Sequence, residues 1–436
     1  MSGLDSLLAA APDAGLLPGF DYSIVPSSTA VVDRKQGKCA YPTSASSLSQ
    51  SGTRTCRIPI GSDGFCDSSS VRLEFTINNL DSAKDMKFWA GPWGAWGTVR
   101  LLSQGTEIER VDIYGRHHEL FGFQLLPLQD QWTEVAVCGL HGSWEAGMEQ
   151  LQPKEGKIEK SERAIVMHKL HLSLFNSHKI LPLRFCPLDL ELTLAPTGYW
   201  TDNVSTSSGT TLAYSTNYSI SDIKIRYDEV VPDESIVNSF YSGLLANQIM
   251  SVPVLCAHQF TQAILSSQTS VDITASRAFS KISSIWLTFS GDGDQLPSDL
   301  TQPNLASAPN MAGSIPKVDS GNPPWCPSVR LSIGGKNFPD PAPADSITYQ
   351  YYSLIKALGY SPNITRDDFV SDTYALVFDM KRVPFDHGSG TSSRSGDLIR
   401  IEVKNLAANH GARVAHVTIF AYSVVAIRER GVSLLN

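Results

Sequence analysis

Four histidines stand close enough in the sequence to suggest metal chemistry: His117 and His118, followed by Glu119, and His168 with His171. A metal centre needs three or four ligands converging on one point. Adjacent positions on a helix project in different directions, and residues three apart on a strand face opposite sides of a sheet. The spacing therefore predicts solvated or hydrogen-bonded histidines rather than a ligand set. Asp292 and Asp294, in a Gly-Asp-Gly-Asp run, would suit calcium, but the twelve-residue ligand pattern with its terminal Glu is missing, which leaves a plain turn. The acid pairs Glu107/Glu109 and Asp189/Glu191 have the two-residue separation that places both carboxylates on one face of a strand. Glycosidases use paired carboxylates, yet a solvated sheet surface produces such pairs automatically, and nothing in these residues marks either pair as desolvated. Trp89, Trp93 and Trp96 lie within eight residues. Such a cluster either stacks sugars or bases or anchors a core or an interface. No nucleophile elbow, phosphate-binding Gly-rich loop or HExxH helix is present. No catalytic, cofactor-binding or metal residue is assigned, and no cofactor is expected.

The elements that would position these groups are mostly strands. Residues 71–77 (VRLEFTI) and 223–227 (IKIRY) alternate apolar and polar side chains, and 171–175 (HLSLF) does so in part. Period-2 alternation of this kind marks half-buried antiparallel strands. Many short strands separated by Gly-, Ser- and Pro-rich turns indicate a sandwich or barrel. Three helices are expected. The clearest is Pro232–Ile249, opened by Pro232, Asp233 and Glu234 and closed before Pro253. The others cover Ile113–Leu125 and Ser346–Leu358.

With 436 residues, 42% of them apolar, the chain can build two sizeable cores. Acids outnumber bases 43 to 35, for a net charge of −8, which argues against broad phosphate neutralisation and direct sequence-specific nucleic-acid binding. The first basic residue is Arg34, preceded by Asp5, Asp13, Asp21 and Asp33, so there is no basic arm of the sort that condenses RNA. Seven cysteines (Cys39, Cys56, Cys66, Cys138, Cys186, Cys256 and Cys326) form no CxxC pair. They read as mostly buried free thiols of a protein assembled in a reducing compartment, although the spacing also admits a Cys56–Cys66 disulfide. The apolar stretch Leu4–Leu17 has no positive flank and contains Asp5, Pro12 and Asp13. It fits neither a secretory signal nor a bilayer span, and a soluble protein is expected.

An internal echo organises the chain. Residues 71–75 resemble 285–289, and 99–105 resemble 329–335; then 169–175 pairs with 375–380, 189–194 with 398–403, and 223–227 with 417–422. The order is the same in both halves, and the wider spacing early in the second half falls on a Pro-rich stretch, 295–327. This predicts one β-sandwich built twice: an N-terminal arm and lead-in at 1–53, a first unit at 54–231, a linking helix at 232–253, and a second unit at 254–436.

Three stretches carry a resemblance: Val99–Phe121, Ile180–Leu194 and Ile223–Ile236. The sequence there resembles the first jelly roll and linking helix of major capsid proteins from polinton-like viruses and virophages, which belong to the adenovirus-hexon lineage. The motif likeness covers mainly residues 95–250. It implies an all-β chain of two tandem eight-stranded antiparallel jelly-roll sandwiches, with a few short helices in the connections. It further implies homotrimers of pseudo-hexagonal outline that meet neighbouring capsomers, penton and minor capsid proteins in an icosahedral virion shell around double-stranded DNA. In such a self-assembling protein the tryptophan cluster is expected at an interface. Two rival readings remain: a carbohydrate-binding or glycan-active sandwich, resting on the tryptophans and acid pairs, and a single-stranded RNA virus coat protein.

Overall fold

The computed structural model describes residues 31–61, 64–87, 91–138, 157–195, 203–205, 211–213, 215–265, 267–291, 326–360, 374–382, 390–394, 397–406, 413–428 and 431–435, with single positions 362, 364, 366 and 369. Sixteen strands carry the architecture, eight in each half. The first eight are β1 (Val31–Ala40), β2 (Thr55–Ile60), β3 (Arg72–Asn79), β4 (Trp96–Ser103), β5 (Thr106–Val111), β6 (Arg163–Lys169), β7 (Leu188–Leu194) and β8 (Tyr218–Pro232). Their counterparts are β9 (Met250–Ile264), β10 (Ser270–Ala275), β11 (Ile282–Gly291), β12 (Ser328–Ile333), β13 (Lys336–Phe338), β14 (Leu376–Asp379), β15 (Ile399–Lys404) and β16 (Arg413–Arg428).

Hydrogen bonding orders the first half as β1-β8-β3-β6 in one sheet and β2-β7-β4-β5 in the other. The second half repeats it as β9-β16-β11-β14 and β10-β15-β12-β13. All these pairings are antiparallel, and the order is that of a jelly roll: two tandem eight-stranded sandwiches. The first sheet also gains three short strands, Ser47–Ser49, Phe65–Asp67 and Ile180–Leu181, and Gly431–Leu435 extends the second half on β16.

The alternation explains why these residues form sheets. In β7 every second side chain (Leu188, Leu190, Leu192, Leu194) is buried, and β10 and β15 show the same period. One face of each strand closes a core and the other meets water. On the wet face Arg100 reaches Glu107 at 2.9 Å and Glu191 at 2.7 Å, while Arg57 meets Asp189 at 2.7 Å. The expected solvated ladder of charges is therefore present at Glu107, Asp189 and Glu191.

Among the described residues four α-helices follow: α1 (Tyr114–Glu119), α2 (Leu128–Cys138), α3 (Glu234–Leu245) and α4 (Ile347–Leu358). A π-helical turn, Leu120–Gln124, continues α1. Asp233 caps α3 by accepting the Ser235 N–H at 2.9 Å, as its sequence position predicts. No helix among the described residues is long and apolar enough to cross a membrane.

Two expectations need correcting. Residues ahead of 54 were expected to be lead-in, yet β1 pairs along β8 from Val31↔Pro232 to Ala40↔Ile225. Its first seven residues are all exposed, so no buried-and-exposed alternation marks this strand. Residues 171–175 are a turn after β6 rather than a strand, so the echo at that point is displaced, and β14 matches Arg163–Lys169 instead. The cysteines are free thiols as expected, and the Cys56–Cys66 pairing that the spacing admits is not made.

Candidate functional site

The two sandwiches meet at a joint formed by β5, α1 and the π-turn of the first half against β9, β11 and β16 of the second. Each side lends residues to the other's core. Leu120 and Leu125 belong to the second hydrophobic cluster, while Val254, Cys256, Val425 and Ile427 belong to the first.

All six residues of α1 are buried, and the helix works as a wedge. Adjacent residues on it point to opposite sides, as expected for a helix. His117 faces the second sandwich, its ring 6.1 Å from Phe420 and 5.0 Å from Phe121. His118 faces the first, stacked on Trp93 with ring centroids 4.5 Å apart. Arg116 donates to the Phe289 carbonyl of β11 at 2.9 Å. A cavity of about 20 Å³, enough for one water, lies at the joint between Arg116, His117, Gln259, Thr288 and His416.

The expectation that His168 and His171 diverge across a strand fails, because β6 ends at Lys169 and the following turn brings His171 back. The four rings come together: His118–His168 at 5.0 Å, His117–His171 at 5.2 Å and His118–His171 at 6.4 Å. They are not solvated; His117, His118 and His168 are at most 3% exposed. The Lys169 carbonyl accepts from both His118 Nε2 at 2.8 Å and His168 Nδ1 at 2.9 Å. Those bonds set the tautomers, and His118 Nδ1 and His168 Nε2 then have no hydrogen-bond partner. His171 Nδ1 accepts from Asn176 Nδ2 at 3.2 Å. Among the described residues no group of three or more His, Cys, Asp or Glu is disposed to hold a metal. Burial holds His117 and His118 well below the ordinary histidine range and brings His168 and His171 down to about 4.

Glu109 is the residue that sequence reasoning missed. A bulge shifts the β4–β5 register between Leu101↔Glu109 and Leu102↔Glu107, so the two carboxylates do not share a face. Glu107 stays in water, and Glu109 turns inward to 5% exposure. It accepts the backbone N–H of Ser173 at 2.6 Å and of Ala257, on β9, at 3.1 Å. Burial raises its pKa, and those hydrogen bonds partly oppose the rise. A bulge beside an acid on an otherwise alternating strand leaves no mark in the sequence.

The tryptophans are also placed differently from expectation. Trp93 and Trp96 are 0% exposed within a single chain. Trp93 Nε1 donates to Glu119 at 2.8 Å, and Trp96 meets Phe75 edge-on at 5.1 Å. They are core anchors of the first sandwich, available neither to sugars nor to another subunit. Trp89, Asp292 and Asp294 lie outside the described residues.

No family description matches the sequence, and no curated protein resembles it. Solved structures do. The chain is similar to the PBCV-1 virus capsid protein, with a TM-score of 0.62 at 11% identity over 96% of this chain and 100% of that one. It is similar to the Faustovirus major capsid protein (TM-score 0.59, 10% identity, 94% of this chain and 93% of that one). A third likeness is to the Sputnik virophage structure (TM-score 0.58, 8% identity, 96% and 91%). At such identities the likeness concerns the fold, and it spans both sandwiches and the joint between them.

Proposed function

We propose that this chain is the major capsid protein of a tailless double-stranded DNA virus, and that three copies close into a capsomer of pseudo-hexagonal outline. The similar structures are themselves capsid proteins, and the observation that carries the reading is the inequality of two matching strands. Within the chain, β5 of the first sandwich lies against β9 of the second, so that Val254, Cys256 and Ala257 are buried. β1 is the counterpart of β9 and β13 that of β5. Yet the first seven residues of β1 are exposed, with Val32 at 64%.

A long open edge strand invites pairing or needs cover. Repeating the internal contact between chains would lay the β13 side of one copy over β1 of the next. Six sandwiches from three chains would then close a ring, the outline a hexagonal lattice needs. Neighbouring capsomers, penton and minor proteins of a virion shell would be the further partners. The carbohydrate reading loses its support, since Trp93 and Trp96 are sealed inside.

The test is the mass of the expressed protein in solution, with negative-stain images of the same sample. The expected result is a particle of three times 47.4 kDa with a triangular or hexagonal outline. A monodisperse monomer across the micromolar range would overturn the proposal.

A further inference from the structure

We propose that the histidines of the wedge make the joint between the two sandwiches acid-sensitive: packed as neutral rings they hold α1 in place, and protonating them expels it. The inference concerns the joint within one chain and stands whether or not copies assemble.

Five imidazoles meet at this joint. His118, His168 and His171 pack α1 against the end of β6, and His117 and His416 line the cavity on the other side. The single carbonyl of Lys169 already serves both His118 and His168. A proton added to His118 Nδ1 or His168 Nε2 would create a buried N–H donor on an atom that has no partner. The surrounding charges offer little compensation. Glu134 is engaged by Arg72 at 3.0 Å, and Glu119 accepts from Trp93 and Gln124 at 2.8 and 2.9 Å. Lys169 and Arg116 add positive charge beside His171 and His416. Glu109, the remaining acid at the joint, accepts two backbone donors.

Folded pKa values below the unfolded value mean that each histidine's contribution is complete above pH 6.5. It is then lost as pH falls toward the folded value. For His168 and His171, brought to about 4 by burial, each contributes roughly a hundredfold loss in the folding equilibrium by pH 4. Glu109 runs the other way, since its raised pKa favours the fold in acid, but it is one group against five.

The experiment is hydrogen exchange on the full-length protein from pH 7.5 to 4.5, corrected for intrinsic rates. The joint amides of His171, Ser173 and Ala257 are compared with those of β7, which carries none of the five histidines. Protection at the joint should fall at least tenfold more than in β7, and His168→Gln/His171→Gln should recover most of that difference. Equal losses at both places in the wild type would overturn the proposal, as would an acid loss in the double variant equal to that of the wild type. If the variant does not fold, the wild-type comparison decides by itself.

Discussion

The stretch between the fifth strand of each sandwich and the helix that follows it differs between the two halves, although the strands around it match. In both sandwiches a helix packs on the edge strand of the first sheet: α2 on β6, and α4 on β14. Both are mixed in exposure, with Leu128 at 44% on α2 and Tyr352 at 58% on α4. Before α2, the first half inserts α1 and the π-turn, which bury Tyr114 and Phe123 in the first core and Leu120 in the second. Before α4, the second half has only residues 339–346, which include Pro339, Pro341 and Pro343. A repeated fold has thus been made directional: one copy of the connection carries a wedge, and the other leaves the corresponding flank open. Within the chain that wedge lies at the joint, where Arg116 reaches the Phe289 carbonyl of the second sandwich.

The largest effect should come from hollowing the wedge where it enters the second core. Leu120→Ala with Leu125→Ala removes two buried side chains, each worth about 2–5 kcal/mol. Urea unfolding followed at Trp286, in the second sandwich, should show the loss although both changes lie in the first half. An unchanged midpoint would break the comparison.

Glu109→Ala comes next. It leaves the Ser173 and Ala257 amides without their acceptor, at a cost of about 2–4 kcal/mol in thermal or urea denaturation. Its neighbour Glu107→Ala, on the wet face, should stay within about 0.5 kcal/mol. Similar costs for the two would mean that the bulge does not separate them.

Smallest of all should be Tyr352→Ala on α4, within about 0.5 kcal/mol for the isolated chain because the ring is mostly in water. Trp132→Ala on α2, half-buried rather than exposed, should cost more in the same urea assay, and the reverse order would show that the two helices are not equivalent.

Much of this was legible in the residues. Alternation located β3 and β8, and the ordered echo paired β3 with β11, β4 with β12, β7 with β15 and β8 with β16. Asp233 and Glu234 announced the start of α3. What was hidden depends on contacts that local pattern does not encode. β1 is exposed on both faces over its first seven residues, so no alternation reveals it. The burial of Glu109 follows from a one-residue bulge and a backbone donor 148 positions away. The gathering of His117, His118, His168 and His171 depends on a turn that reverses the face of His171. The tryptophans were expected at an interface because the resemblance implied a self-assembling protein, yet Trp93 and Trp96 fill the first core.

The claim on which the account rests is that the contact made inside the chain, first sandwich to second, is made again between chains. A photo-crosslinking amino acid placed at Val32 on β1 tests it directly, with products resolved by mass and mapped by peptide sequencing. The account predicts adducts to residues around Lys336–Phe338 of another copy, in covalent species that stop at three chains. Adducts confined to the same chain, or a ladder running beyond three, would contradict it.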